Sequence, residues 1–463
     1  MGKILLLCIP FAMAMIASAD EVGAQGGRAS VVPDAYIVKV ADGVDVDRTA
    51  KDVAAFLGGK VKHVYTKAFR GFAIHVPPGV RGADLLADPR IMRVEPDVTI
   101  PLPPYPGAGL SAGGGKGGKG STQQVPTGVR RVGALENATA NIDGKNEVLD
   151  VDIAILDAGI DLNHPDLNVV GGVNCIGGCN GGSYADDYGH GTHVAGIAAA
   201  IDNGIGVVGV APGARLWAVK THGNQGTGVL SDIIAGIDWV ATNADTIEVA
   251  NMSFGRVAFS DTFREAIATG VAAGVVFVAA AGNSSDDIYG ADGEFDALEP
   301  SAPDDFIPAA YPEVAAVSAM VDSDGRPGGS SGKRRGYLED TIASWSNYST
   351  AVWPDNPVTW TPGAAIDLAA PGSDIYSTAM GGGYATYDGT SMAAPHVTGA
   401  VALYVDACGR AENAAGVESI RQALIDCAEE QYFWRTDHLM TDPDSNREGL
   451  VDVRACSCLS SAR

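Results

Sequence analysis

The chain is poor in charge, and poorest in positive charge. Only 19% of its 463 residues are Asp, Glu, Lys or Arg, against a typical ~25%. Its 31 Lys and Arg face 56 Asp and Glu, for a formal net charge of −25. With 46% hydrophobic residues, that composition excludes a coiled coil and general disorder. A surface of that sign disfavours nucleic acid and anionic membranes as partners. Cysteine is scarce, seven in all, and beyond the first residues no apolar run reaches the ~18 that a membrane helix needs. What the chain has in excess is glycine, 60 residues, nearly twice the usual ~7%, which implies a compact protein with many tight turns. At roughly 100–200 residues per domain, the length allows two or three domains.

The N-terminus reads as a separate module. Lys3, the apolar run Ile4 to Ile16 and the small residues Ala17-Ser18-Ala19 predict a secretory signal peptide over 1–19 and a secreted, extracellular protein without a membrane anchor. Export changes how the cysteines are read. Without Cys8 there remain Cys175, Cys179, Cys408, Cys427, Cys456 and Cys458, an even set suited to disulfides in an oxidising compartment. Cys175 and Cys179 can close a small loop, whereas the other four allow three pairings. Zinc is the rival, but Cys-x3-Cys without a matching pair is a weak ligand pattern.

A Pro-rich then Gly-rich run from Pro101 to Gly120 marks a linker, and charge divides across it. Residues 20–120 hold 13 Lys and Arg and 11 Asp and Glu, whereas 121–463 hold 17 and 45. The expected organisation is therefore a near-neutral domain over 20–104, a linker over 105–122, an acidic main domain over 123–430 and a Cys-containing extension over 431–463. In the main domain, strand-like runs at 151–156, 215–219, 247–250 and 275–279 alternate with helical patterns at 190–201, 229–243, 260–273 and 391–406. That alternation predicts an α/β fold on a parallel sheet, whose sites gather at the carboxyl ends of strands.

Three element ends carry chemistry. The first strand runs into Asp157-Ala-Gly-Ile-Asp161, His190-Gly-Thr-His193 opens a helix, and Ser391 stands in the first turn of another. Alone, each is weak: a lone His is more often structural, and a Ser at a helix start more often a cap. Together, an acid, an imidazole and a hydroxyl are the parts of an activated nucleophile.

Ile155-Leu-Asp157-Ala-Gly-Ile-Asp161, His190-Gly-Thr-His-Val-Ala-Gly196 and Gly389-Thr-Ser-Met-Ala-Ala-Pro-His-Val-Thr-Gly399 resemble the three signatures of the subtilisin-like serine proteases, in that family's Asp, His, Ser order. Gly204-Ile-Gly-Val-Val-Gly-Val-Ala-Pro212, Asn251-Met-Ser-Phe-Gly255 and Ala279-Ala-Ala-Gly-Asn283 follow in family order. The resemblance implies a three-layer fold with a parallel central sheet, Ser391 as nucleophile, His190 as general base and Asp157 as its orienting acid. Asn283 corresponds to the side-chain donor of the oxyanion hole; it also opens the glycosylation sequence Asn-Ser-Ser, but a buried catalytic amide is the stronger reading. Gly226, Thr227, Gly228, Ser253, Phe254 and Gly255 match segments that pair with peptide substrates, and Ser253 to Gly255 with Ala280, Ala281 and Gly282 would wall an open first specificity pocket of broad apolar or aromatic preference.

Gln123, Asp166, Ile201, Asn203, Ile205 and Val207 match the family's strong Ca²⁺ site, whose all-oxygen ligands suit that ion. A weaker site is expected at the carbonyls of Ala309, Tyr311 and Val314 with Asp367. Asp34-Ala-Tyr-Ile-Val-Lys39, Phe69-Arg-Gly-Phe-Ala-Ile74 and Arg93-Val-Glu-Pro-Asp97 resemble strands of the subtilase pro-domain, a small ferredoxin-like α/β unit that chaperones and inhibits. Its tail would occupy the cleft until self-cleavage within 105–122. The implied protein is a monomeric, calcium-stabilised zymogen that cleaves protein or peptide substrates. Departures are Ala158 in place of a family Ser or Thr, an acidic insertion at 284–306 and another at 326–362. The acidic loop makes a basic-selective processing protease one alternative; a catalytically silent scaffold is another.

Overall fold

The computed structural model describes residues 28–103, 122–146, 148–179, 181–290, 304–328, 333–334, 337–350, 365–431, 434, 442–444, 446–454, 456 and 458. The expected signal peptide, all but residue 122 of the linker, residues 291–303 of the acidic insertion, 351–364 and much of the C-terminal extension lie outside these.

The N-terminal unit follows the order strand, helix, strand, strand, helix, strand. Its strands Lys60–Tyr65, Gly71–His75, Val31–Val40 and Ile91–Val98 lie side by side in that order, all antiparallel, which is the ferredoxin-like arrangement. Helix Val46–Leu57 starts where the Asp45 side chain accepts from Arg48 N at 3.0 Å and stops at left-handed Gly58, as capping chemistry requires. Its buried face, Ala50 and Val53, packs on Val38, Val40, Phe72 and Ile74.

The main unit is built on eight parallel strands in the order Val169–Asn174, Arg215–Lys220, Asp152–Asp157, Val249–Met252, Val276–Ala280, Ala315–Val321, Leu368–Pro371 and Gly449–Leu450, with Thr341–Ile342 antiparallel beside Ala315–Val321. Central strands such as Asp152–Asp157 are buried at every position, hence their continuous apolar runs. Helices His190–Ala199 and Thr390–Cys408 pack together, and Leu230–Thr242 packs on Asp261–Ala272. His190–Ala199 is buried throughout, and Thr390–Cys408 from Thr390 to Val405, which is why neither shows a polar face. Strand order reverses at the Asp152–Asp157/Val249–Met252 boundary, the kind of switch point where α/β sheets place their sites. Disulfides join Cys175 to Cys179, Cys408 to Cys458 and Cys427 to Cys456, choosing among the pairings that were open.

The two units meet through buried carboxylates. Glu95 accepts from Thr262 N at 3.1 Å and from the hydroxyls of Ser260 and Thr262, both at 2.6 Å. Asp97 accepts from Ser231 N at 3.0 Å and Ser231 Oγ at 2.6 Å. Each thereby satisfies an otherwise unpaired amide at a helix N-terminus and complements its dipole. Around them Lys39 pairs with Glu265, and Arg93 with Asp261 and Glu265.

Candidate active site

Asp157 ends the strand at the switch point and is fully buried. Its Oδ2 lies 2.7 Å from His190 Nδ1, and its Oδ1 accepts from Ala158 N at 2.7 Å, so the main chain supplies a donor where Ala158 lacks a hydroxyl. Gly191, next to His190, leaves room for this approach: a Cβ there would stand 2.2 Å from Gly159 O and 2.9 Å from Asp157 Cβ. His190 Nε2 is buried without a hydrogen-bond partner.

Ser391 enters the site through helix Thr390–Cys408, which contains Pro395. Proline has no N–H for the carbonyl four residues back, here that of Ser391. Ser253 Oγ donates to that carbonyl instead, at 2.9 Å, and Ser391 Oγ donates to Ser253 O at 2.9 Å. Two serines from different elements are thus tied reciprocally, with Asn251 Nδ2 donating to Ser253 Oγ at 2.9 Å behind them. In this arrangement the Ser391 hydroxyl rests on Ser253 O and is not hydrogen-bonded to His190 Nε2. Asn283 Oδ1 accepts from Thr390 N at 2.8 Å and Thr390 Oγ1 at 3.0 Å. That fixes the amide beside the start of the helix, where early N–H groups lack intrahelical partners. Contrary to the expected buried amide, Asn283 is exposed.

Residues 99–103 of the N-terminal unit lie along the expected substrate edge. Ile100 N donates to Gly228 O at 3.0 Å and Leu102 N to Gly226 O at 2.7 Å, while Thr99 bridges Val229 antiparallel. His222 Nε2 contacts Ile100 O at 2.9 Å, and Tyr188 Oη donates to Pro103 O at 3.0 Å. Neither His222 nor Tyr188 stood out in the sequence. Burial drives the His222 pKa down to about 4 and those of the second motif histidine, His193, and of His396 to about 3 and about 4, so all three are neutral at pH 7.

The family model described as the subtilase family matches residues 150–450, which is more than half of the chain. This chain is a subtilase. Among its relatives, subtilisin E of Bacillus subtilis (strain 168) is 33% identical over 406 residues, covering 87% of this chain and 88% of that protein. Subtilisin Savinase of Lederbergia lenta is 38% identical over 281 residues, 61% of this chain and 84% of that one. Membership makes this subtilase a serine endopeptidase.

Phe306 stands against both expected walls of the first pocket: a Cβ on Gly255 would lie 2.3 Å from its ring, and one on Gly282 2.8 Å. Asp367, expected beside the weaker cation site, is paired instead: both its oxygens accept from Arg421 Nη2, at 3.0 and 2.9 Å, and Arg421 Nη1 donates to Pro312 O at 2.8 Å, so a guanidinium already neutralises that carboxylate.

The six residues expected to form the stronger cation site are linked through the loop 201–207. Gln123 N donates to Gly204 O at 3.1 Å, Gly204 N to Gln123 Oε1 at 2.5 Å and Ile201 N to Asp166 O at 2.9 Å. Asp166 accepts from Val207 N and from Asn203 Nδ2, both at 2.9 Å, and Ile205 N donates to Asn203 Oδ1 at 3.0 Å. Asp166 is fully buried, and no basic side chain pairs with it among the described residues. Nor do the described residues hold a cluster of three or more His, Cys, Asp or Glu fit for a metal; this set has one carboxylate among amide and carbonyl oxygens.

Proposed function

We propose that this subtilase is a secreted, self-maturing endopeptidase in which Ser391 attacks the scissile carbonyl. The observation that carries the proposal is the 2.7 Å contact of His190 Nδ1 with Asp157, with Nε2 left unpartnered. Ser391 Oγ leaves Ser253 O and passes its proton to His190 Nε2 as its oxygen bonds to the carbonyl carbon, and Asp157 stabilises the resulting imidazolium. Negative charge developing on the carbonyl oxygen is met by the Ser391 N–H and the Asn283 amide. His190 then protonates the leaving amine, and water attacks the acyl-enzyme by the same proton route in reverse. Gly226 to Gly228 and Ser253 to Gly255 pair with the substrate main chain, a mode that adds affinity while reading little sequence.

The segment 99–103 on that edge supports an inhibitory pro-domain, since a peptide substrate must take its place. Three disulfides and the signal-like N-terminus support export. For calcium, the donor set fits: a buried carboxylate with no counter-charge, amide oxygens from Gln123 and Asn203, and carbonyls of Ile201, Ile205 and Val207. The ion would hold the start of the mature chain to the loop 201–207 and supply no chemistry to the reaction.

Ser391→Ala tests the reading. Expressed with export, it should accumulate uncut, with its N-terminus at Asp20. Maturation of that variant in the absence of other proteases would refute self-processing by Ser391.

A further inference from the structure

We propose that Phe306 fills the pocket for the side chain preceding the scissile bond, so that this subtilase cleaves after small residues such as Ala, Ser or Gly. The inference rests on the reading of Ser391 and its partners as the reacting groups. Both expected walls, Ser253–Gly255 and Ala280–Gly282, present a glycine to the same aromatic ring. A Cβ on Gly255 would stand 2.3 Å from Phe306 Cε1 and 2.8 Å from Cζ; on Gly282 it would stand 2.8 Å from Cζ and 3.0 Å from Cε1. One ring edge therefore touches the backbone of both walls, and glycine is needed on each side because the ring occupies the space between them. At Gly282 the backbone also sits at φ +108°, a conformation that itself favours glycine.

The ring is held in place. Phe306 N donates to Ile288 O at 2.7 Å, Ala310 N donates to Phe306 O at 3.0 Å, and Phe306–Ile307 pairs antiparallel with Arg256–Val257, the residues that directly follow the Gly255 wall. Beside it the buried Asn347 donates to Ala281 O at 2.9 Å and accepts from Ser284 N at 2.9 Å, and its Nδ2 would lie 2.4 Å from a Gly282 Cβ. Wall backbone, ring and amide thus brace one another. Phe306 itself is half-buried, so part of it remains at the surface, where an incoming side chain would meet it. A substrate phenylalanine would have to displace a ring of its own size from packed surroundings, whereas an alanine methyl would not.

The test is a set of peptide p-nitroanilides differing only in the residue before the scissile bond: Ala, Ser, Leu and Phe. Wild type should show kcat/KM at least ~10-fold higher for Ala than for Phe, the scale of discrimination that packing in an apolar pocket provides. Phe306→Gly should raise the Phe substrate relative to Ala by at least the same factor, and Phe306→Leu, which keeps an apolar filler, should fall between. A fluorophosphonate, which labels the serine without needing this pocket, is run in parallel. Failure to label refutes the catalytic reading itself. Labelling together with equal cleavage after Phe and Ala in wild type overturns the pocket inference, as does an Ala/Phe ratio unmoved in both active variants.

Discussion

Ser253→Ala removes the hydroxyl that compensates for Pro395. In wild type that hydroxyl donates to Ser391 O and accepts from Asn251 Nδ2, and all three residues are buried. The substitution strands one carbonyl and one amide donor, at about 1–3 kcal/mol each, so the expected loss is roughly 2–6 kcal/mol. Unfolding entropy near 2.1 cal/mol/K per residue gives about 0.9 kcal/mol/K for the roughly 440 residues from Asp20 onward that the uncut Ser391→Ala background retains, and hence a Tm lower by about 2–6 °C. Pro395→Ala returns a backbone N–H to the helix at the position that reaches Ser391 O. In the double variant the Ser391 share of the loss, about 1–3 kcal/mol, should therefore vanish. The assay is calorimetry and denaturant unfolding in a Ser391→Ala background, which suppresses self-digestion and leaves the carbonyl in question unchanged. Losses that add to within ~0.5 kcal/mol, as for independent sites, would refute the compensation.

Two further outcomes are expected. EDTA should lower the Tm of the mature enzyme, and Asp166→Asn should abolish most of the EDTA-dependent shift; an identical shift in both proteins would exclude the loop 201–207 as the site. For pH, burial depresses the His396 pKa to about 4 from an ordinary ~6.5, so the unfolded chain takes up the proton first. The stability this contributes is present above pH ~6.5 and is lost as pH falls toward 4. Between pH 7 and 5 that amounts to about 2 kcal/mol, and His396→Gln should flatten the fall in unfolding free energy by that much. Parallel profiles for the two proteins would contradict it.

The legible parts of the sequence were those where chemistry and periodicity coincide. Strands 152–157, 215–220, 249–252 and 276–280 and the four long helices fall within a few residues of expectation, because central elements buried on both sides show unbroken apolar runs. Strand Val169–Asn174, with its Gly171-Gly172 pair, and the four-residue Leu368–Pro371 escaped notice; neither has the length or pattern to signal pairing without the neighbour it pairs with. Asp157, His190 and Ser391 were readable as residue types at element ends. Phe306 was not: it lies 24 residues beyond Gly282 in sequence, and small wall residues look the same whether they border a void or a ring. His222 and Tyr188 escaped for the same reason, since their roles depend on which segment lies across them.

The outermost strand of the large sheet, Gly449–Leu450, is also held by Glu429, whose N and O exchange bonds of 2.8 and 2.9 Å with Leu450. Because Cys427 is joined to Cys456, this strand sits inside a closed covalent ring rather than on a free end. A single backbone break anywhere between those cysteines would produce two fragments that cannot part. Peripheral strands are where a folded chain frays first, and here a cut within the ring leaves both pieces of that margin covalently attached.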